Sequence, residues 1–299
     1  MIDFRYHVVS LVAVFLALTV GIVIGTTQLD RVVLGNLRGQ VSSLDTDNRA
    51  LQRDVGDLHQ QIRGGDSVTA ALTPRVVAGA LPHARVVLVA TPQAGAQVTG
   101  RVQLTDDYAD PQRAADVKSY VTGGGQPAGF QLPESDDAVV LGGALLSYVL
   151  VRGGSGGAGA DQAAVSQVLS GFASLQMLRT EGGQVSPGDY AVLVAAEPVR
   201  GASVPDRMQA LGQLAAALDR RGKGALIAGT AGTAGPDGLV GIVRADAGLA
   251  GAVSTVDDAD TAAGRIATVF ALAEQGRGRS GQYGSAAAAQ APLPPTPSS

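Results

Sequence analysis

The stretch HVVSLVAVFLALTVGIVIGTT, from His7 to Thr27, holds no Asp, Glu, Lys or Arg. It restricts the chain more than any other feature. Wound as a helix, Val8–Ile24 covers about 26 Å, close to the roughly 30 Å hydrocarbon thickness of a bilayer. The core of a secretory signal is usually shorter, about 7–15 residues, so a transmembrane helix over 8–25 is expected. Val23 and Gly25 are small enough for signal cleavage, and that alternative stays open. Arg5, the α-amino group and His7 precede the run, while Asp30 and Arg31 cancel after it. The positive-inside rule then keeps residues 1–7 in the cytoplasm and exports the chain beyond Gly25. The expected location is the cell membrane, single-pass, with the bulk extracytoplasmic.

Next along the chain is a heptad repeat. Leu37, Val41, Leu44, Asn48, Leu51, Val55, Leu58 and Ile62 are spaced alternately four and three residues apart. Leu fills the d positions at 37, 44, 51 and 58. Val41, Asn48, Val55 and Ile62 fill the a positions. β-Branched residues at a with Leu at d favour a parallel two-stranded coil, and a single Asn at a fixes register. The e and g positions include Arg38, Asp45, Asp47, Asp54 and His59, which form no complementary set. Gly39 and Gly56 each weaken the helix by about 1 kcal/mol relative to Ala. The spacing predicts a coiled coil over 29–63 and a parallel homodimer, ended by Gly64-Gly65. An amphipathic helix lying on its own domain is the alternative.

Residues 66–275 read as an exported α/β domain. Asp66 or Ser67 suits the cap of a helix reaching about Gly79. Apolar runs at 85–90, 137–142, 189–195 and 224–228 read as buried strands, and helical periodicity appears at about 161–178, 206–221 and 260–275. Uniformly apolar strands alternating with helices predict a Rossmann-like, mainly parallel sheet covered on both faces. Too few residues separate Ala90 from the next strand-like run, 97–104, for the usual parallel crossover. These two strands are expected to be antiparallel, or the sheet locally incomplete. Residues 276–299, rich in Gly, Ala and Pro, predict a disordered tail.

Chemistry is sparse. The chain has 22 Lys+Arg against 26 Asp+Glu, no Cys, and three residues each of His and Met. The absence of Cys rules out disulfides and thiolate chemistry. The acidic balance argues against a nucleic-acid partner. Gly229 to Gly235 follows a strand but lacks the spacing of a dinucleotide or P-loop motif. Gly153–Gly159 reads as a flexible loop. Ser254-Thr-Val-Asp-Asp-Ala-Asp260 clusters three carboxylates without an EF-hand pattern, and Asp260 suits a helix cap. Thr105-Asp-Asp-Tyr108 reads as a turn. His83 has no partners that would make a catalytic triad. No catalytic or cofactor-binding residue emerges, and a non-enzymatic protein is expected.

Several stretches together resemble the MctB family of actinobacterial envelope proteins, called copper transport outer membrane proteins. They are Arg5 with His7 to Leu18, Gly21 and Gly25; Val102-Gln-Leu-Thr105; Gly224-Ala-Leu-Ile-Ala-Gly229; Ser254-Thr-Val-Asp-Asp258 with Gly264-Arg-Ile266; and Gly281-Gln-Tyr-Gly284. The resemblance implies a membrane anchor, a role in copper transport or homeostasis, copper as the only metal to consider, and an outer-membrane location as one option. Two departures stand out. Related chains carry a helix where this one has only Thr91–Ala96, and Gln282 replaces a His common in the family. Some relatives resemble components of a cell-separation system. That resemblance implies the alternative of a coiled-coil scaffold or regulator of envelope growth, working with a membrane-protein partner.

Overall fold

The computed structural model describes residues 4–92, 94, 101–105, 108, 110–154, 159–196 and 204–295, with side chains at all of these except 4, 5, 25–40 and 111. The chain divides into two units, 1–65 and 66–299. The described residues of the first unit belong to helix α1 (Phe4–Val76). Its segment Tyr6–Ile24 is apolar and long enough to cross a membrane. The helix does not stop at Gly64-Gly65 as expected, nor does a new one start at Asp66. Two helix-interior glycines cost about 2 kcal/mol together, which a long helix with good formers on both sides tolerates. Pro74 falls in the last turn, where it removes one backbone hydrogen bond shortly before the helix ends at Val76. Asp66 caps a different helix: its Oδ1 accepts a hydrogen bond from the Ala262 amide, and Arg265 lies 3.8 Å from its other oxygen.

The second unit is a mixed α/β fold around a mostly parallel sheet. The strands are β1 (Val86–Ala90), β2 (Arg101–Leu104), β3 (Leu178–Glu181), β4 (Tyr190–Val194), β5 (Ala225–Ala228), β6 (Ser254–Val256) and β7 (Gln282–Tyr283), in the order β3-β2-β1-β4-β5-β6-β7. Only the β2–β3 pair among them is antiparallel. The helices are α2 (Ala114–Thr122), α3 (Ala138–Leu150), α4 (Gln162–Ser174), α5 (Val204–Arg221), α6 (Leu239–Ala245), α7 (Ala247–Ala252) and α8 (Ala262–Gln275). Alternate strand residues feed two cores, as the two-residue period of a strand requires. Val87, Val89, Val102, Leu104, Leu193 and Ile227 pack with residues of α2 to α7. Val192, Leu226, Ala228 and Val256 pack with Ala267, Ala271 and Leu272 of α8.

Four expectations need correction. β1 and β2 are parallel, with Leu88 opposite Arg101 and Ala90 opposite Gln103. Ten residues of extended chain reach over about 33 Å, ample to return along a five-residue strand without a crossover helix. The run Asp137–Gly142 is not a strand. Asp137 caps α3 through Val139 N at 2.8 Å, and the apolar pattern continues to Leu150. Thr261, not Asp260, caps α8, accepting from Gly264 N at 2.9 Å. The chain after Arg277 is not a bare tail, because Gln282 and Tyr283 extend the sheet alongside Thr255 and Val256. Parts of the Gly153–Gly159 and Thr105–Tyr108 stretches, and residues 97–100 and 296–299, lie outside the described residues.

Candidate functional site

The heptad positions lie on α1. Val41, Leu44, Leu51, Val55, Leu58 and Ile62 are 49–68% exposed in the single chain. Leu37 lies outside the residues whose side chains are described. Asn48 is exposed and accepts a hydrogen bond from Gln52 Nε2 at 2.9 Å. Asp45 pairs with Arg49 along the helix at 2.6 Å. Counted in the same frame, Leu72 and Val76 fall at d and a, and both are also exposed. A run of large aliphatic side chains with this spacing is costly to leave in water. About 1.5–3 kcal/mol is gained for each Leu, Ile or Val fully buried.

The Ser254–Asp258 stretch, read from sequence as part of a carboxylate cluster before a helix cap, contains β6 and a buried polar cluster. Arg244 of α6 reaches under the sheet edge. Its Nη1 lies 2.7 Å from Asp257 Oδ2, its Nε donates to Thr255 Oγ1 at 2.9 Å, and its Nη2 donates to the Tyr283 carbonyl at 2.7 Å. The two charged side chains are 4% and 0% exposed. Asp257 Oδ1 accepts from the backbone amides of Ser285 and Ala286 at 2.7 and 3.1 Å. Both carboxylate oxygens and all three guanidinium nitrogens are thus engaged, as a buried ion pair requires. The cluster ties β7 and the chain after it to β6.

Gln282 is part of the same lattice. Its Oε1 accepts from Thr255 Oγ1 at 2.6 Å, and its Nε2 donates to the Ala250 carbonyl at 2.9 Å. The Tyr283 hydroxyl bonds Glu274, which also pairs with Arg279 at 3.2 Å. Asp258 stands apart. Burial, then the neighbouring Asp257 charge, push its carboxyl above the usual range, and its Oδ1 is buried with no hydrogen-bond partner. Asp260 adds to the repulsion.

Other sequence candidates stay apart. The Gly229–Gly235 turn is filled rather than open. A Cβ at Gly229 would sit 2.1 Å from Thr233 Oγ1, so the side chain of Thr233 occupies the space a phosphate would need. His83 is exposed, in a left-handed backbone conformation at φ 58°. Among the described residues no group of three or more His, Cys, Asp or Glu converges as a metal site.

A partly open pocket of about 260 Å³ lies between α2, α3 and α5, lined by Val117, Phe172, Met177 and Tyr108. Asp110, Asp137 and Asp206 stand at its rim. Two of these carboxylates already serve the backbone, Asp137 at Val139 N and Asp110 at Gln112 N (2.9 Å). Burial raises the Tyr108 phenol well above its usual range, so it does not serve as a base at neutral pH. The order β2-β1-β4 creates a topological switch between β1 and β4, the usual ligand crevice of such sheets. There the Thr91 amide donates to the Val194 carbonyl at 2.9 Å, and the Thr91 hydroxyl accepts from Ala196 N at 3.0 Å. The loops beyond them lie largely outside the described residues.

Comparison with known proteins agrees with the sequence pattern. The profile of a family described as "Copper transport outer membrane protein, MctB" matches residues 1–294. A protein of Mycobacterium tuberculosis (strain ATCC 25618 / H37Rv) named "Copper transporter MctB" is 31% identical over 248 residues, covering 77% of this chain and 78% of its own. The identically named protein of Mycobacterium bovis shows the same identity and coverage. That of Mycobacterium leprae is 34% identical over 154 residues, covering 44% of this chain and 46% of its own. With the match running from the apolar helix through β7, the chain belongs to the MctB family.

Proposed function

We propose that this chain is a membrane-anchored envelope protein acting in copper transport or homeostasis, and that it works as a parallel dimer joined through its stalk. The family match over residues 1–294, with relatives named as copper transporters, is the observation that carries this reading. The exposed a and d residues of α1 support the dimer, because a second copy offers the matching apolar stripe. The second unit is read as a Rossmann-like body that contributes binding surfaces rather than catalysis.

Physical chemistry narrows how such a chain takes part in transport. A β-barrel pore needs strands of about ten residues that alternate between lipid and lumen. The strands here have two to five residues and are mostly buried on both faces. One apolar helix per chain encloses no channel, so a copper path requires further helices from a second copy or a membrane-protein partner. Soft ligands are few: there is no Cys, and His7, His59 and His83 are far apart in sequence. Copper is therefore treated as cargo passed along an assembly.

The test is a deletion strain challenged with copper. The expected outcome is growth inhibition at a lower copper concentration than the parent, reversed by the wild-type gene. Equal tolerance in both strains would overturn the copper reading.

A further inference from the structure

A groove of about 410 Å³ opens at the edge of the second unit, near the start of β4 and beside the turn that precedes β1. Three cationic side chains reach it from separate places in the fold: Arg152 just after α3, Lys223 in the turn between α5 and β5, and Arg277 just after α8. Among the described residues these three make no ion pair or side-chain hydrogen bond, whereas Arg101, Arg244 and Arg279 each face a carboxylate. One acid, Asp189, lines the groove, and its Oδ2 already accepts from the Arg85 amide at 2.8 Å. His83 stands at the mouth, held at a positive φ that is uncommon for a residue other than glycine. The groove thus carries an excess of two formal positive charges, in a chain whose net charge is −4.

Three cations around one groove, beside a single acid that is already engaged, favour a dianionic occupant. Two guanidinium forks match the tetrahedral oxygens of phosphate with paired N–H donors, and an ammonium adds a point charge. We propose that this groove binds a phosphate-bearing anion, gripped by Arg152 and Arg277 with Lys223 as the third contact. The occupant is not copper, so the proposal stands independently of the copper reading.

Calorimetric titration of inorganic pyrophosphate into the full-length, detergent-solubilised protein at low ionic strength tests it. The wild type is expected to bind saturably at one site. The Arg152→Ser, Lys223→Ser, Arg277→Ser triple variant should bind at least tenfold more weakly, with an unchanged circular dichroism melting curve. Should that variant not fold, Arg277→Glu at an exposed position replaces it, with at least a fivefold loss expected. Absence of saturable binding up to millimolar pyrophosphate, or equal affinity in the folded variant, overturns the proposal. Equal or tighter binding of citrate overturns the phosphate assignment. Glycerophosphoglycerol, the headgroup of phosphatidylglycerol, separates the two sources. Binding at least as tight as pyrophosphate assigns a lipid headgroup, and weaker binding assigns a soluble phosphate compound.

Discussion

Arg244 faces a carboxylate with no exposed surface, so its removal strands a buried charge. Arg244→Met should destabilise the protein by about 3–5 kcal/mol, the usual cost of breaking such a pair from one side. Denaturant midpoints measure that loss. The same change frees the Tyr283 carbonyl, so trypsin should cut faster at Arg277 and Arg279. Equal cleavage rates would show that β7 is held by other contacts. Asp258 presents the opposite case. Its native carboxyl titrates above its unfolded value, so the native state holds the proton more tightly and ionisation opposes folding. That penalty is present above the native pKa and vanishes as pH falls below the unfolded one. Asp258→Asn should therefore raise the melting temperature by about 1–2 °C at pH 7. The gain should shrink towards zero near pH 3. A constant difference across that range would assign the effect to something other than charge. Neither role was visible in the sequence. Ser254-Thr-Val-Asp-Asp258 read as part of a carboxylate cluster before a helix cap because three strand residues are too few to show a period. Nothing local to Arg244 announces a partner thirteen positions later.

At the scale of elements, legibility tracked length. β4, β5, α4, α5 and α8 lie close to where apolar runs and helical periods placed them. Residues 137–142 misled because a six-residue apolar run fits a buried strand and a buried helix equally, and only its continuation to Leu150 decides. The antiparallel edge strand β3, reading LRTE, carries too little apolar pattern to be found. β7 was hidden by the low-complexity composition around it, where two residues, Gln282 and Tyr283, carry the docking. The heptad stretch of α1 is the element on which the proposed dimer rests. The chain has no Cys, so single cysteines report cleanly on its partner. Leu58→Cys, at d, should form an interchain disulfide in membranes under mild oxidation. Gln60→Cys, on the opposite side of the heptad, should form several-fold less. Equal crosslinking at the two positions would contradict a parallel coiled coil. Asn48→Val should broaden the distribution of oligomers seen by sedimentation, because the polar a position no longer penalises other registers.

For the whole molecule, the apolar N-terminal helix and the α/β body were readable from hydropathy and periodicity. The function was not, because no constellation of catalytic or ligating side chains stands out by its spacing in the sequence. The buried polar groups of the β6–β7 edge are consumed by one another. The open chemistry lies on surfaces: the aliphatic stripe of α1 and the cationic groove around Arg152. Membership of the MctB family, rather than a motif, carries the assignment. If the dimeric stalk is what couples this chain to copper handling, breaking the stripe should reproduce loss of the gene. The direct measurement is cell-associated copper, by elemental mass spectrometry, in a deletion strain complemented with wild type or with a Leu51→Asp, Leu58→Asp variant present at equal level in the membrane. The expected result is raised copper in the deletion strain, restoration by wild type and no restoration by the variant. Unchanged copper on deletion, or full restoration by the stalk variant, would contradict a stalk-dependent role in copper handling.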